Sequence, residues 1–171
     1  MFCEGEYVVY GDLGVCRVEG VTQRRFEGLD AAHLYYVLAP VYQGGVLYIP
    51  ADNPRICLRA VISAEEANRL IDAIPTIEGE AFHSRSAQEL SVHYEQALRT
   101  HDCADLIRLT ASIYAKKQDL ASRKKRMGRV DEHFMKKAKD SLNGEFAIAL
   151  GIPREDVPAY ISRRIAAHAK S

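Results

Sequence analysis

The feature that most constrains the fold is a change of hydrophobic period near residue 60. Before it, short runs of β-branched and aromatic residues are separated by turns that contain glycine, a pattern typical of short strands. After it, apolar residues recur every third or fourth position, and the runs begin at residues that cap helices. The sequence therefore predicts an α+β chain with a small β domain, residues 1–62, and a helical domain, residues 63–171.

The β domain is predicted to be a small barrel. Its four predicted strands are residues 6–10, 15–26, 34–41 and 46–50. The turns between them are residues 11–14, 27–28 and 44–45. A sheet of four or five such short strands hides most of its edges by closing or nearly closing, although one edge can stay open for a partner. We therefore expect a barrel of the Tudor or SH3 type.

Cap residues predict where the first three helices begin. Ser63 and Ser86 each stand three residues before a glutamate, which is the capping-box spacing. Asp102 precedes a long run with apolar residues at helical spacing. These signals predict helices that end near residues 73, 100 and 126.

Two further helices complete the predicted bundle. Gly128 is expected to end the third helix, and Asp131 to begin a fourth whose apolar residues recur almost every fourth position up to Leu150. Gly151 is expected to stop the fourth helix, and Pro153 suits the first turn of the last one. The second domain is therefore predicted to be an all-α helical bundle.

Charge is distributed unevenly, although the chain has 23 basic and 23 acidic residues. Residues 1–62 are mildly acidic, whereas residues 108–139 hold eleven basic residues against Asp119, Asp131 and Glu132. A run such as residues 123–126 has two interpretations. It is either a solvated helix end, where cations favour the helix dipole, or a surface that binds phosphate with little sequence preference.

Signals of catalysis, cofactor binding and secretion are missing from the sequence. The cysteines, at positions 3, 16, 57 and 103, form no close pair, and no signal peptide is recognisable, so a reducing cytoplasm is favoured. No apolar run approaches the roughly 20 residues that span a bilayer, so we expect no membrane span. No phosphate-binding glycine motif is present, and the six histidines lack metal-ligand spacing. We expect no cofactor, no metal and no enzymatic activity.

Several segments resemble the CarD family of bacterial transcription regulators. Residues 5–10 (GEYVVY) are similar to the opening strand of that family, and residues 35–38 (YYVL) and 46–50 (VLYIP) are similar to later strands. Residues 137–147 (KAKDSLNGEFA) resemble a late helix of its helical domain. The same β module occurs as the RNA polymerase-interacting domain of the transcription-repair coupling factor, whose helicase motors need a longer chain. The resemblance thus spans nearly the whole chain.

The resemblance implies how the β domain works. In a CarD-type regulator this domain binds the β subunit of bacterial RNA polymerase. Arg24 matches a basic polymerase contact of the family, and Tyr48 takes a position where several members have arginine. With Ile49 and Pro50, they make up the implied polymerase surface. Because tyrosine has no fixed charge, a salt bridge at Tyr48 is less favoured than docking of the strand edge by backbone hydrogen bonds. The alternative interpretation is that Tyr48 is only a half-exposed strand residue.

The resemblance also implies that the helical domain reaches promoter DNA at the upstream edge of the transcription bubble and stabilises the melted complex. Many members carry a wedge tryptophan, but this chain has none, and residues 89–94 (ELSVHY) place Leu90 there. Leucine either wedges between bases without stacking on them or packs in the core. The other implied DNA contacts are Lys116, Lys117, Arg123, Lys124, Lys125, Arg126, Arg129, Lys136, Lys137 and Lys139.

Two alternatives stay open from the sequence. The first is an adaptor that binds RNA polymerase without significant DNA contact, which the neutral net charge and the missing tryptophan favour. The second is a small enzyme that uses a cysteine and a histidine, since such groups assemble in space rather than along the chain. We expect a monomer, with a strand-exchanged dimer as the alternative.

Overall fold

In the computed structural model of the chain, the described residues of the N-terminal unit, Met1–Ile62, form five antiparallel strands. The structure describes residues 1–24, 27, 33–52 and 57–169. The strands are β1 (Tyr7–Tyr10), β2 (Gly14–Arg24), β3 (His33–Pro40), β4 (Leu47–Pro50) and β5 (Leu58–Ala60). The predicted continuation of the second strand to Phe26, and Gly28 of the following turn, lie outside the described residues.

The sheet is open. Its strand order is β4-β3-β2-β1-β5, and no ladder between β4 and β5 occurs in the described part of the chain. A barrel needs a ladder between its first and last strands, and these two have only four and three residues. The α+β class is therefore confirmed, whereas the predicted Tudor- or SH3-like barrel is not. β5 itself is absent from the predicted strands, because three residues cannot display an alternating pattern.

One face of the sheet buries the core of the N-terminal unit. The buried cluster consists of Val8, Cys16, Val18, Tyr36, Leu38 and Ile49. Phe2, Tyr10, Leu47 and Leu58 pack against it. These residues come from all five strands and the chain before β1, so the small sheet has a continuous hydrophobic core.

A β-bulge in β2 decides which face Arg24 occupies. The register between β2 and β3 shifts between Val18 and Gly20, which leaves Glu19 as an extra residue. One extra residue exchanges the two faces for the rest of the strand. Val18 therefore lies on the core face, whereas Arg24, paired with His33, lies on the opposite face.

The described residues of the second unit, Ser63–Ser171, form five helices. They are α1 (Ala64–Ala73), α2 (Ala87–Leu98), α3 (Cys103–Ser122), α4 (Arg129–Leu150) and α5 (Val157–Ala169). The predicted caps are confirmed, since Ser63, Ser86 and Asp102 each accept a hydrogen bond from a backbone N–H two or three residues later. No described helix is both long enough and apolar enough to span a bilayer.

The boundary between α3 and α4 differs from the prediction. α3 ends at Ser122 rather than near residue 126, because Lys124 adopts a left-handed conformation with φ of 58° and Lys125 N–H bonds back to the Leu120 carbonyl. Gly128 then precedes the first residue of α4 instead of ending α3. α4 begins two residues before Asp131, whose side chain is buried.

The last helix also begins later than predicted. Pro153 precedes a short 3-10 turn, Arg154–Asp156, and α5 starts only at Val157. Pro158 is the proline that lies in the first turn of α5, where a missing N–H costs no hydrogen bond. Val157 is the buried residue of this helix.

Candidate functional site

β4 is an edge strand whose second side has no described strand beside it. Ala51 N–H donates to the Leu34 carbonyl at 2.9 Å, directly after the paired residues of β3 and β4. Hydrogen-bonded pairs alternate with non-bonded pairs in an antiparallel ladder. The backbone groups of Tyr48 and Pro50 therefore point away from β3. Pro50 offers only a carbonyl, because proline has no N–H.

Arg24 and Tyr48 come together beside this edge. Tyr48 pairs with Val37, so it lies on the face opposite the core, where the bulge also places Arg24. The Arg24 guanidinium carbon lies 4.4 Å from the centre of the Tyr48 ring. Such a cation–π contact contributes about 0.5–1 kcal/mol at an exposed site. The ring thus holds a positive charge next to β4, although position 48 itself carries no charge.

Ile49 and Pro50 differ in accessibility. Ile49 is only 7% exposed and belongs to the core cluster, because it pairs with Tyr36 on the core face. Its predicted place on the polymerase surface is therefore corrected to a core position. Pro50 is half-buried at the end of β4.

Two exposed apolar side chains near β4 were missed by sequence reasoning. Val46 immediately precedes β4, and Leu34 is hydrogen-bonded to Ala51 immediately after it. Both side chains are about half exposed. In the sequence they are indistinguishable from buried strand residues, and only their position at the margin of the sheet exposes them.

Lys116 lies in the interior of the helical unit. Its side chain is buried, and its Nζ donates to Asp131 Oδ1 at 2.9 Å. The hydroxyl of the buried Tyr94 donates to the same carboxylate oxygen at 2.5 Å. Burial, with the adjacent Asp131 carboxylate, raises the pKa of Tyr94. These three residues join α2, α3 and α4, so the predicted DNA contact at Lys116 is corrected to a buried ion pair.

Leu90 also lies in the core. It is 8% exposed and shares one stripe of α2 with Tyr94 and Leu98, which are buried as well. Residues four apart lie on one face of a helix. Of the two interpretations of Leu90, core packing is the one that fits this position, and the wedge role is corrected.

The remaining predicted cations lie at the surface. Most of them lie in or near the connection between α3 and α4, residues 123–128, which we call the basic loop. Arg123 pairs with Asp119 at 3.2 Å, and Lys136 pairs with Asp140 at 2.6 Å. Lys137 is half-buried. Six of these predicted cations are exposed and show no hydrogen bond or ion pair to the described residues: Lys117, Lys124, Lys125, Arg126, Arg129 and Lys139.

α3 and α4 are antiparallel neighbours, as two buried contacts show. Cys103 Sγ lies 3.1 Å from Glu145 Oε1 near the start of α3, and Lys116 meets Asp131 near its end. The start of α3 therefore lies beside the end of α4, and the end of α3 lies beside the start of α4. The basic loop joins the adjacent ends of these two helices.

The four cysteines differ in their exposure. Cys16 and Cys103 are buried, and burial raises the pKa of the Cys16 thiol. Cys3 and Cys57 are exposed. Among the residues that the structure describes, no group of three histidine, cysteine or acidic side chains is positioned to hold a metal ion.

Comparison with known proteins gives a match to the N-terminal unit. No curated protein matches the chain. The family model of the CarD-like/TRCF RID domain matches residues 2–62, which is nearly the whole of the β unit and stops where α1 begins. The resemblance that the strand motifs indicated is thus confirmed for residues 2–62, and the β unit is similar to a CarD-like/TRCF RID domain.

Proposed function

We propose that this protein is a transcription regulator that binds bacterial RNA polymerase through its β unit. The observation that carries the proposal is the match of residues 2–62 to the CarD-like/TRCF RID domain. The partner is the β subunit of the polymerase, and the protein acts in the cytoplasm, where that enzyme works. It needs no cofactor and catalyses no reaction.

The proposed contact is strand addition at the β4 edge. Backbone hydrogen bonds of an added strand provide affinity, and neighbouring side chains provide specificity. Arg24, held over the Tyr48 ring, supplies a positive charge beside that edge. The exposed Val46 and Leu34 supply apolar contacts at its two ends.

A binding measurement with a recombinant fragment of the polymerase β subunit tests this contact. We expect Arg24→Glu in the full chain to weaken binding by at least roughly tenfold, because a charge reversal beside the interface becomes repulsive. Arg17→Glu is the matched control, since Arg17 is an exposed arginine of the same strand. If both variants bind the fragment equally well, the proposed contact is contradicted. If the wild type does not bind the fragment, the proposed function is contradicted.

We further propose that the helical unit binds promoter DNA near the upstream edge of the bubble and prolongs the life of the melted complex. The exposed cations of the basic loop support this proposal, since clustered lysine and arginine gain affinity by releasing counterions. Such contacts read the backbone and have little sequence preference. The competing candidate is an adaptor without DNA contact, which is favoured by the burial of Lys116 and Leu90.

Promoter-complex lifetime separates these two candidates. Lys124→Glu combined with Lys125→Glu should shorten the lifetime of a melted complex formed with polymerase and the full chain. Arg85→Glu with Arg99→Glu is the control, because both arginines are exposed on or near α2 rather than in the basic loop. A lifetime unchanged in the lysine variant would favour the adaptor.

Thiol labelling tests the absence of a catalytic cysteine. A nucleophilic cysteine has a lowered pKa and labels faster than a free thiol at neutral pH. We expect Cys3 and Cys57 to label at the rate of ordinary exposed thiols, and Cys16 and Cys103 more slowly, because they are buried. One cysteine that labels much faster than a free thiol would favour an enzyme instead.

A further inference from the structure

Tyr114 is an exposed aromatic residue on α3. Its side chain is 54% exposed, and of the large apolar side chains in the described part of the helical unit only Val92 and Tyr114 are exposed. Gln118 Nε2 donates to the Tyr114 hydroxyl at 2.7 Å. This bond to the next turn holds the ring in place, and it occupies the polar end of the side chain. What remains accessible is largely the apolar ring surface.

Positive charge lies on the same side of α3. Residues three and four apart share a helix face, so Tyr114, Lys117, Gln118 and Ala121 form one stripe, and Lys117, Gln118 and Ala121 are exposed as well. The stripe leads directly into the basic loop. The carboxylate of Asp119 is engaged by His83 and Arg123.

We propose that Tyr114 stacks on an unpaired base of a single-stranded nucleic acid whose phosphates lie along Lys117 and the basic loop. This inference rests on the nucleic-acid contact of the proposed function and names the residue that meets a base. Aromatic rings that alternate with cations are the usual way of binding single strands, because every base has a face on which a ring can stack. A duplex keeps its bases stacked on one another, so it offers no free base face to a ring on a helix surface.

The dimensions agree with a single binding surface. Tyr114 and Ser122 are eight residues apart, which is about 12 Å along a helix. A strand that passes the ring therefore reaches the basic loop within a few nucleotides. The buried pair Lys116–Asp131 lies next to this surface in α3 and fixes the start of α4, so the loop and the ring keep a constant separation.

Binding of the full chain to a fluorescent oligothymidine and to a duplex of the same length tests the inference. We expect Tyr114→Ala to weaken oligothymidine binding by roughly 5- to 100-fold, the usual effect of losing one stacked base. The affinity for the duplex should change by less than about twofold, since the duplex is bound through phosphate contacts alone. Tyr114→Phe keeps the ring and should bind oligothymidine as the wild type does.

Controls separate the possible failures. Val92→Ala removes the other large apolar side chain that is exposed in the described part of the helical unit and should leave both affinities unchanged. Tyr114→Leu keeps apolar area without a flat ring, so it should bind oligothymidine as weakly as Tyr114→Ala. If the wild type binds neither nucleic acid, the DNA half of the proposed function is overturned. If it binds oligothymidine in a salt-dependent way but Tyr114→Ala binds equally well, only the role of Tyr114 is overturned.

Discussion

At the scale of single residues, the buried pair of Lys116 and Asp131 matters more to folding than to binding. Moving two charges out of water costs several kcal/mol, and their attraction offsets this cost only while both partners are present. Tyr94 adds a second hydrogen bond to the same carboxylate oxygen. The cluster therefore specifies how α2, α3 and α4 meet.

Removing the charge of Asp131 tests this role. Asp131→Asn leaves the Lys116 ammonium buried without its counter-charge and should lower the free energy of unfolding by about 3–5 kcal/mol. Asp140→Asn is the matched control, because Asp140 belongs to the exposed i,i+4 pair with Lys136, and such pairs contribute about 0.3–0.5 kcal/mol. Urea unfolding followed by circular dichroism of the helices measures both, and similar losses in the two variants would contradict the prediction.

Tyr94 gives the cluster a pH dependence at the alkaline end. Burial raises its pKa above the unfolded value of about 10, so the folded state keeps a proton that the unfolded chain loses there. The contribution of Tyr94 to stability is therefore complete below pH 10 and declines as the pH rises above it. The stability advantage of the wild type over Tyr94→Phe should shrink from pH 8 to pH 11 in urea titrations. A constant difference would contradict this assignment.

At the scale of elements, α5 is held to α1 mainly by polar contacts. Arg164 makes two hydrogen bonds to the Asp72 carboxylate, at 2.7 and 2.8 Å, and His168 lies 3.2 Å from it. Tyr160 donates to Asn68. The buried residue of α5 is Val157, at its start. Since partly buried hydrogen bonds and ion pairs contribute less net stability than a buried apolar core does, α5 should be the first helix of the unit to open.

Hydrogen exchange measures the attachment of α5. We expect Arg164→Gln to speed amide exchange in α5 while exchange in α3 and α4 stays unchanged, because those helices have the buried core between them. Arg163→Gln is the control on the neighbouring exposed arginine. Arg164 holds the pKa of Asp72 below its usual value, so acid should loosen wild-type α5 only as the pH falls below about 4 towards that lowered pKa. Exchange that changes equally in both variants would contradict the attachment.

At the scale of the whole molecule, two units with different surfaces share one neutral chain. The β unit has two more acidic than basic residues, and the helical unit has the opposite excess. The RID-domain match ends where the helices begin. A net charge of zero thus conceals a basic surface that belongs to the second unit alone.

The two proposed interactions should therefore be separable in the full chain. Arg24→Glu should weaken binding to the polymerase β fragment and leave oligothymidine binding unchanged. Lys124→Glu combined with Lys125→Glu should do the reverse. Both variants are measured in both assays, and a variant that weakens both interactions would show that the two surfaces are coupled.

The sequence could predict much of the fold because the signals involved are local. Ser63, Ser86 and Asp102 cap helices through their own neighbours along the chain, and their predicted starts are confirmed. The end of α3 was predicted less well, because Lys124 takes a left-handed conformation that glycine usually provides. Whether a sheet closes depends on pairing between strands that are far apart in the sequence. The strand pattern alone therefore could not tell a closed barrel from an open sheet.

The sequence by itself determined the α+β class, the starts of the first three helices and the similarity of the β unit to a CarD-like module, because alternation, capping and strand motifs act over a few residues. Only the tertiary structure decided which of the candidate residues are exposed and which are buried. It buried Lys116 against Asp131 and Leu90 against the core, and it used a one-residue bulge to bring Arg24 over Tyr48. Whether a side chain is buried, and which face of the sheet it occupies, depends on residues far away in the sequence that pack against it. Residue type alone does not specify those contacts.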